Sequence, residues 1–143
     1  VPLVAAMREG HPLAGRPVVN PAELAKERLV VPQTRSGEGI PALMRGLFGS
    51  FGLSPAIHYS GAGQEEALLQ VQLDGVIALI PQCYYPEIPL PGLRAPQVAG
   101  TAGLFQMTAL ARADSPNAAV ALFLRLCRAQ VKQARLTAGA AVE

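Results

Sequence analysis

Residues 60–81 read SGAGQEEALLQVQLDGVIALIP, and the fold turns on how this stretch divides. Gly61 and Gly63 leave an uncrowded backbone at a helix start. Glu65 and Glu66 fall in or near the first turn, where carboxylates suit the positive end of the helix dipole. Ala67, Leu68 and Val71 share one helical face. Asp74-Gly75 supplies a turn. Residues 76–80 form a continuous apolar run with β-branched members, closed by Pro81, as in a strand buried on both faces. Such a strand needs helices on both sides of its sheet, so the expected class is α/β. The helix N-terminus beside that sheet is then a place for a small polar or anionic ligand.

Working outward towards the N-terminus, Ala56 to Tyr59 predicts a strand after Pro55. Before it, Ile40, Leu43, Met44, Leu47, Phe48 and Phe51 recur at the helical period. QTRSGEG (residues 33–39) is a polar loop following a predicted strand, Leu29 to Val31, that ends at Pro32. Asn20-Pro21-Ala22-Glu23 has the form of a capped helix start, with Glu23 placed to reach back as in a capping box. Residues 1–7 predict a strand.

On the other side, residues 81–96 are rich in proline and aromatics and read as an extended connection. Residues 98–99 predict a weak strand and residues 104–111, with alternating apolar positions, a stronger one. Ser115-Pro116 is expected to open a long helix. Val120, Phe123, Leu124, Cys127 and Val131 are its expected buried face, and Arg125, Arg128, Lys132 and Arg135 a solvated one. Fraying is expected after Thr137.

Composition narrows the function classes. At 143 residues, half apolar, 15% charged and with net charge +2, the chain can build a core and carries no basic footprint for nucleic acid. Cys83 and Cys127 make no disulfide framework and fit a reducing compartment. No apolar run reads as a membrane helix and no signal peptide is evident. Beginning at Val1 inside an apolar run, the chain reads as a fragment or processed product. His11 and His58 have no ligand set at metal spacing, so no metal or other cofactor is expected. Cys83 lacks a partnered histidine, and nothing assembles a nucleophile, a base and an oxyanion donor, so no enzyme is expected.

Five pieces carry a resemblance: VAAMREGHPLAG (4–15), NPAELAKERLVVP (20–32), GLSPAIHYS (52–60), EALLQVQLDGVIALIP (66–81), and Ala111-Arg112 to Ser115-Pro116 with FLRLCR (123–128). In this order and spacing the chain resembles the effector-binding domain of LysR-type transcriptional regulators, truncated at its N-terminus. The resemblance implies a type II periplasmic-binding-protein-like fold, two α/β lobes joined by crossover strands, with the first lobe incomplete. Residues 1–10 would be the first crossover, 11–103 lobe two, and 104–143 the return crossover and the end of lobe one. It implies a cytoplasmic sensor that binds a small metabolite effector between the lobes. The parent would be a homodimer or homotetramer, the helix at 40–51 being the candidate contact in lobe two. DNA would be bound only through a helix-turn-helix absent here. A periplasmic solute-binding protein is the alternative. The sequence departs from the family at the turn, where a Gly-x-Gly is common and Asp74-Gly75-Val76 stands. It also departs at Gly61-Ala62-Gly63, where a hydroxyl residue is common.

The candidate effector contacts lie at strand ends and at the helix start. Arg35 can pair a carboxylate in bidentate fashion, with Thr34 and Ser36 as hydrogen-bond donors beside Gln33. The competing reading is an ordinary strand–helix loop whose Ser36 caps the next helix. Gly61, Ala62 and Gly63 offer backbone N–H groups, against a plain glycine-rich helix start. Pro81, at the end of the buried strand, completes the set.

Overall fold

The computed structural model describes residues 1–33, 39–61, 63–85, 90–106, 108–114 and 116–140. The chain divides into two units, Val1–Gln106 and Met107–Glu143.

The first unit is a seven-stranded sheet with helices on both faces. Its strands are β1 (Leu3–Arg8), β2 (Val18–Val19), β3 (Leu29–Pro32), β4 (Ile57–Ser60), β5 (Ile77–Pro81), β6 (Leu93–Arg94) and β7 (Gln97–Val98). Its helices are α1 (Pro21–Leu24), α2 (Gly39–Gly49) and α3 (Gln64–Asp74). The main path runs β2-β7-β1-β5-β3-β4, with β6 paired to β1. β3 runs parallel to β4 and β5, and β2 parallel to β7. β1 is antiparallel to β5, β6 and β7, so it alone among these strands runs against the others. Leu3 therefore sits opposite Pro81, at the edge where β3 and β5 end.

The apolar run 76–80 is buried on both faces, as its composition predicts. Ile77 and Leu79 join one cluster with Leu3, Val31 and the α2 residues Met44, Leu47 and Phe48. Ala78 and Ile80 join the other with Val4, Ala6 and the α3 residues Ala67, Leu68 and Val71. Burying an aliphatic side chain of this size contributes about 1.5–3 kcal/mol, so β5 links the two halves of the core. In α1, the Asn20 N–H donates to Glu23 Oε2 at 3.2 Å, the backward reach expected of a capping box.

The far end of α3 is fixed by two arginines. Arg8, at the end of β1, donates to the carbonyls of Val71 (3.2 Å), Gln72 (2.6 Å) and Leu73 (2.9 Å). Arg28 donates to the Asp74 carbonyl at 2.8 Å. Gly75 closes the helix at φ 67°, ψ 23°, a left-handed conformation suited to glycine. These cations meet the negative end of the dipole and satisfy carbonyls the helix leaves open. α3 is thereby held with its N-terminus at the opposite edge.

Several expectations are corrected. No described residue between 104 and 111 lies in a strand. Alternation chooses faces but supplies no ladder partner. The pairing found there is between single residues, where Val1 and Phe105 exchange both backbone hydrogen bonds, at 2.7 and 3.2 Å. β2 and β6 were not predicted, because two residues are too few to show a period. In the second unit, α4 (Ala118–Ala140) is preceded by Asn117, whose Oδ1 accepts from the Ala119 N–H at 2.9 Å. Ser115 lies outside the described residues. The helix continues past Thr137 to Ala140, since alanine favours helix strongly. Its expected buried face is not buried: Phe123 is 58% and Val131 53% exposed, and Val120, Leu124 and Cys127 are half-buried.

Candidate functional site

A cavity of about 240 Å³ opens at the carboxyl ends of the parallel strands. β3 contributes Val31 and Pro32, followed by Gln33; β5 contributes Leu79, Ile80 and Pro81. Because β1 runs the other way, its first residue, Leu3, reaches the same edge. Ile40 and Met44 line the side formed by the first half of α2, and Gly63 and Gln64 bring in the start of α3. Tyr84 and Phe105 complete the wall. This is the edge where open α/β sheets bind ligands.

The wall is mostly hydrocarbon. None of the described lining residues is charged, and the polar side chains are the amides of Gln33 and Gln64 and the phenol of Tyr84. Tyr84 and Tyr85 part company here. Tyr84 is 56% exposed at the cavity, whereas Tyr85 packs against the cluster on the α3 face. Burial pushes the Tyr85 phenol pKa up, against the opposing pull of the Arg94 charge.

The start of α3 is shaped by glycine and by its own acids. Gly63 is the N-cap at φ 93°, ψ −164°, which L-residues rarely adopt, and no side chain caps the helix there. Buried Ser60 donates from Oγ to Glu66 Oε2 at 2.5 Å, tying the end of β4 to the first turn. Gln70 donates to the other Glu66 oxygen at 3.2 Å. The positive end of this helix therefore already faces carboxylates of its own chain, Glu65 and Glu66.

Of the residues singled out from the sequence, Gln33, Gly63 and Pro81 line one cavity. Gly61 is exposed and is not among the lining residues. Thr34, Arg35, Ser36 and Ala62 lie outside the described residues. Sequence reasoning missed Leu3, Ile40, Met44, Tyr84 and Phe105. The helical period does mark Ile40 and Met44 as inward-facing, but Leu3 and Phe105 reach the site through pairings distant in sequence.

Other candidate chemistry is dispersed. His58 is exposed on β4, and His11 lies 3.7 Å from Glu27. Cys83 is exposed and Cys127 half-buried, and neither forms a disulfide. Among the described residues no group of three or more His, Cys, Asp or Glu could hold a metal ion. No helix among them is long and apolar enough to cross a membrane.

Solved structures share this fold. A Pseudomonas aeruginosa protein assigned to the LysR family of transcriptional regulators is similar over 91% of this chain and 45% of its own, with 20% identity and a TM-score of 0.66. The effector binding domain of BenM, solved with its effector benzoate, is similar over 68% of this chain and 45% of its own (21% identity, TM-score 0.58). The effector binding domain of QuiR, in complex with shikimate, is similar over 69% and 46% (19% identity, TM-score 0.54). The chain thus spans less than half the length of each. No curated protein matches the sequence significantly. The LysR substrate binding domain family matches residues 1–132, almost the whole chain, and with its mixed sheet, flanking helices and type II periplasmic-binding-protein-like fold, this chain belongs to that family.

Proposed function

We propose that this chain is the effector-sensing part of a LysR-type bacterial transcriptional regulator, and that the cavity at the ends of β3 and β5 holds a small carboxylate metabolite. The observation that carries the reading is this: in a chain of that family, one cavity gathers both strand ends, the start of α3, Leu3 of β1 and Phe105. Residues 1–10 would then be the first crossover, 11–103 lobe two, and 104–143 the return crossover with the end of lobe one. A ligand seated beside the two crossovers can shift lobe geometry if it prefers one arrangement.

Binding rather than catalysis fits the lining, whose described residues include no serine, cysteine, histidine or carboxylate. The parent would act in the cytoplasm as a homodimer or homotetramer and reach DNA through a helix-turn-helix outside these residues. In α2, Met44, Leu47 and Phe48 are buried in the core, leaving Ala42, Arg45, Gly46 and Gly49 as the face offered to a partner subunit. The family match speaks against a periplasmic solute receptor.

In this proposal Arg35 supplies the carboxylate contact, because the start of α3 already faces two acids. Calorimetry with a panel of small carboxylates tests it. Arg35→Ala is expected to weaken the best ligand by about tenfold to a hundredfold, the worth of a hydrogen bond to a charged group, with an unchanged melting curve. Unchanged affinity would remove Arg35 from the site.

A further inference from the structure

We infer that Thr101 is a positioning residue of the effector site: its buried hydroxyl stands inside the β1–β7 ladder and sets where Leu3 and Phe105 meet the cavity. The inference rests on the effector-site reading above and adds to it a residue outside the cavity wall. β1 and β7 pair antiparallel with Val4 opposite Gln97. In that register Ala5 faces Pro96, and its N–H donates to the Pro96 carbonyl at 2.9 Å. Two residues earlier Leu3 faces Val98, and an unbroken ladder would carry the matching bond from the Leu3 N–H to the Val98 carbonyl. The Thr101 hydroxyl takes that place. Its Oγ1 accepts from the Leu3 N–H at 3.0 Å and donates to the Val98 carbonyl at 2.7 Å. The one hydroxyl proton is thereby used, and a lone pair is left facing Leu3. Leu3, Val98 and Thr101 are all buried, so neither backbone group has solvent to turn to.

The same residue steers the chain that follows. Gly100 and Gly103, at φ 74° and 80°, let the backbone fold around Thr101. The Thr101 carbonyl accepts from the Leu104 N–H at 3.0 Å. Phe105 comes next and exchanges its backbone hydrogen bonds with Val1. Leu3 and Phe105 both line the cavity, and Thr101 does not. One side chain thus joins the two segments that the functional reading makes the crossovers, and it reaches a ligand only through them.

Two variants separate the hydroxyl from the packing. Thr101→Val sets a methyl where the hydroxyl stands, so the strands stay apart and both backbone groups lose their partner. Thr101→Ser restores the hydroxyl. Amide hydrogen exchange followed by NMR on the whole chain is expected to run at least about tenfold faster at Leu3 and Phe105 in Thr101→Val, with Val71, Ile77 and Leu79 unchanged. In Thr101→Ser the rates should return close to the original. In calorimetry, the member of the small-carboxylate panel that binds the unsubstituted chain best is expected to bind Thr101→Val at least about fivefold more weakly and Thr101→Ser within about twofold. Unchanged exchange at Leu3 in Thr101→Val, a loss spread evenly over the sheet, or an unchanged carboxylate affinity overturns the inference and leaves the effector reading standing. If Thr101→Val does not fold, the unsubstituted chain and Thr101→Ser decide: a Leu3 amide that exchanges slowly in both supports the inference, and one that exchanges as fast as exposed amides overturns it. If no carboxylate of the panel binds, the effector reading falls and the inference falls with it.

Discussion

Helices α3 and α4 both repeat apolar residues at the helical period, and these residues are buried to different degrees. On α3, Ala67, Leu68 and Val71 are at most 9% exposed, because the stripe lies against Val4, Ala6 and Ile80 on one face of the sheet. On α4, Phe123 and Val131 of the expected face are 58% and 53% exposed, and Val120, Leu124 and Cys127 are half-buried. Periodicity identifies a face that can be buried; it does not identify a covering surface. α3 has one because the turn at Asp74-Gly75 returns the chain directly into β5, and because Arg8 and Arg28 fasten its end.

Substitutions on the two sides of this contrast should separate widely. Phe48→Ala, at a side chain 1% exposed beneath the sheet, is expected to lower stability by about 3–5 kcal/mol in chemical denaturation. A much smaller loss would mean the α2 face is loosely packed. Arg8→Ala withdraws three hydrogen bonds from the carbonyls of α3. Two of these are solvent-exposed, so the expected cost is about 1–2 kcal/mol. Hydrogen exchange should show the loosening concentrated in the last turn of α3, and a uniform loss would remove Arg8 from its capping role. Phe123→Ala on α4 should change stability by no more than about 0.5 kcal/mol, as at other exposed positions. A core-sized loss would show that the stripe is covered in solution.

The smallest expected effect is at α1. The Glu23 carboxyl pKa is lowered, chiefly by the Asn20 backbone hydrogen bond; desolvation opposes this and Arg16 adds to it. A lowered folded-state pKa gives stability that is present above the ordinary glutamate value and is lost as pH falls through the folded value. NMR titration should therefore place Glu23 below the ordinary glutamate value, and Glu23→Gln should flatten the acid limb locally. A Glu23 titrating at the ordinary glutamate value would show that the capping box is open in solution.

The same contrast explains what was legible in the sequence. Local signals gave β1, β3, β4, β5 and helices α1 to α3, because glycine, proline and periodicity are written within a few residues of each element. The expected strand at 104–111 and the expected buried face of α4 failed because each needs a partner that a local pattern cannot name. The candidate site divides the same way. Gln33, Gly63 and Pro81 sit where a strand ends or a helix begins, so topology alone points to them. Leu3 and Phe105 arrive through the β1 register and the Val1 pairing, and nothing adjacent in sequence marks them.

The reversed strand also constrains the order of folding. β1 is made before β5 and β7, yet Leu3 pairs with Pro81 and Val4 with Gln97. Each of its partners in the sheet lies far downstream in the chain. Its closure is a long-range step that carries the loop entropy of everything between. The units β3–α2–β4 and α3–β5 can form around their own local contacts first. The middle of the sheet is thus occupied by a strand whose pairings are all long-range.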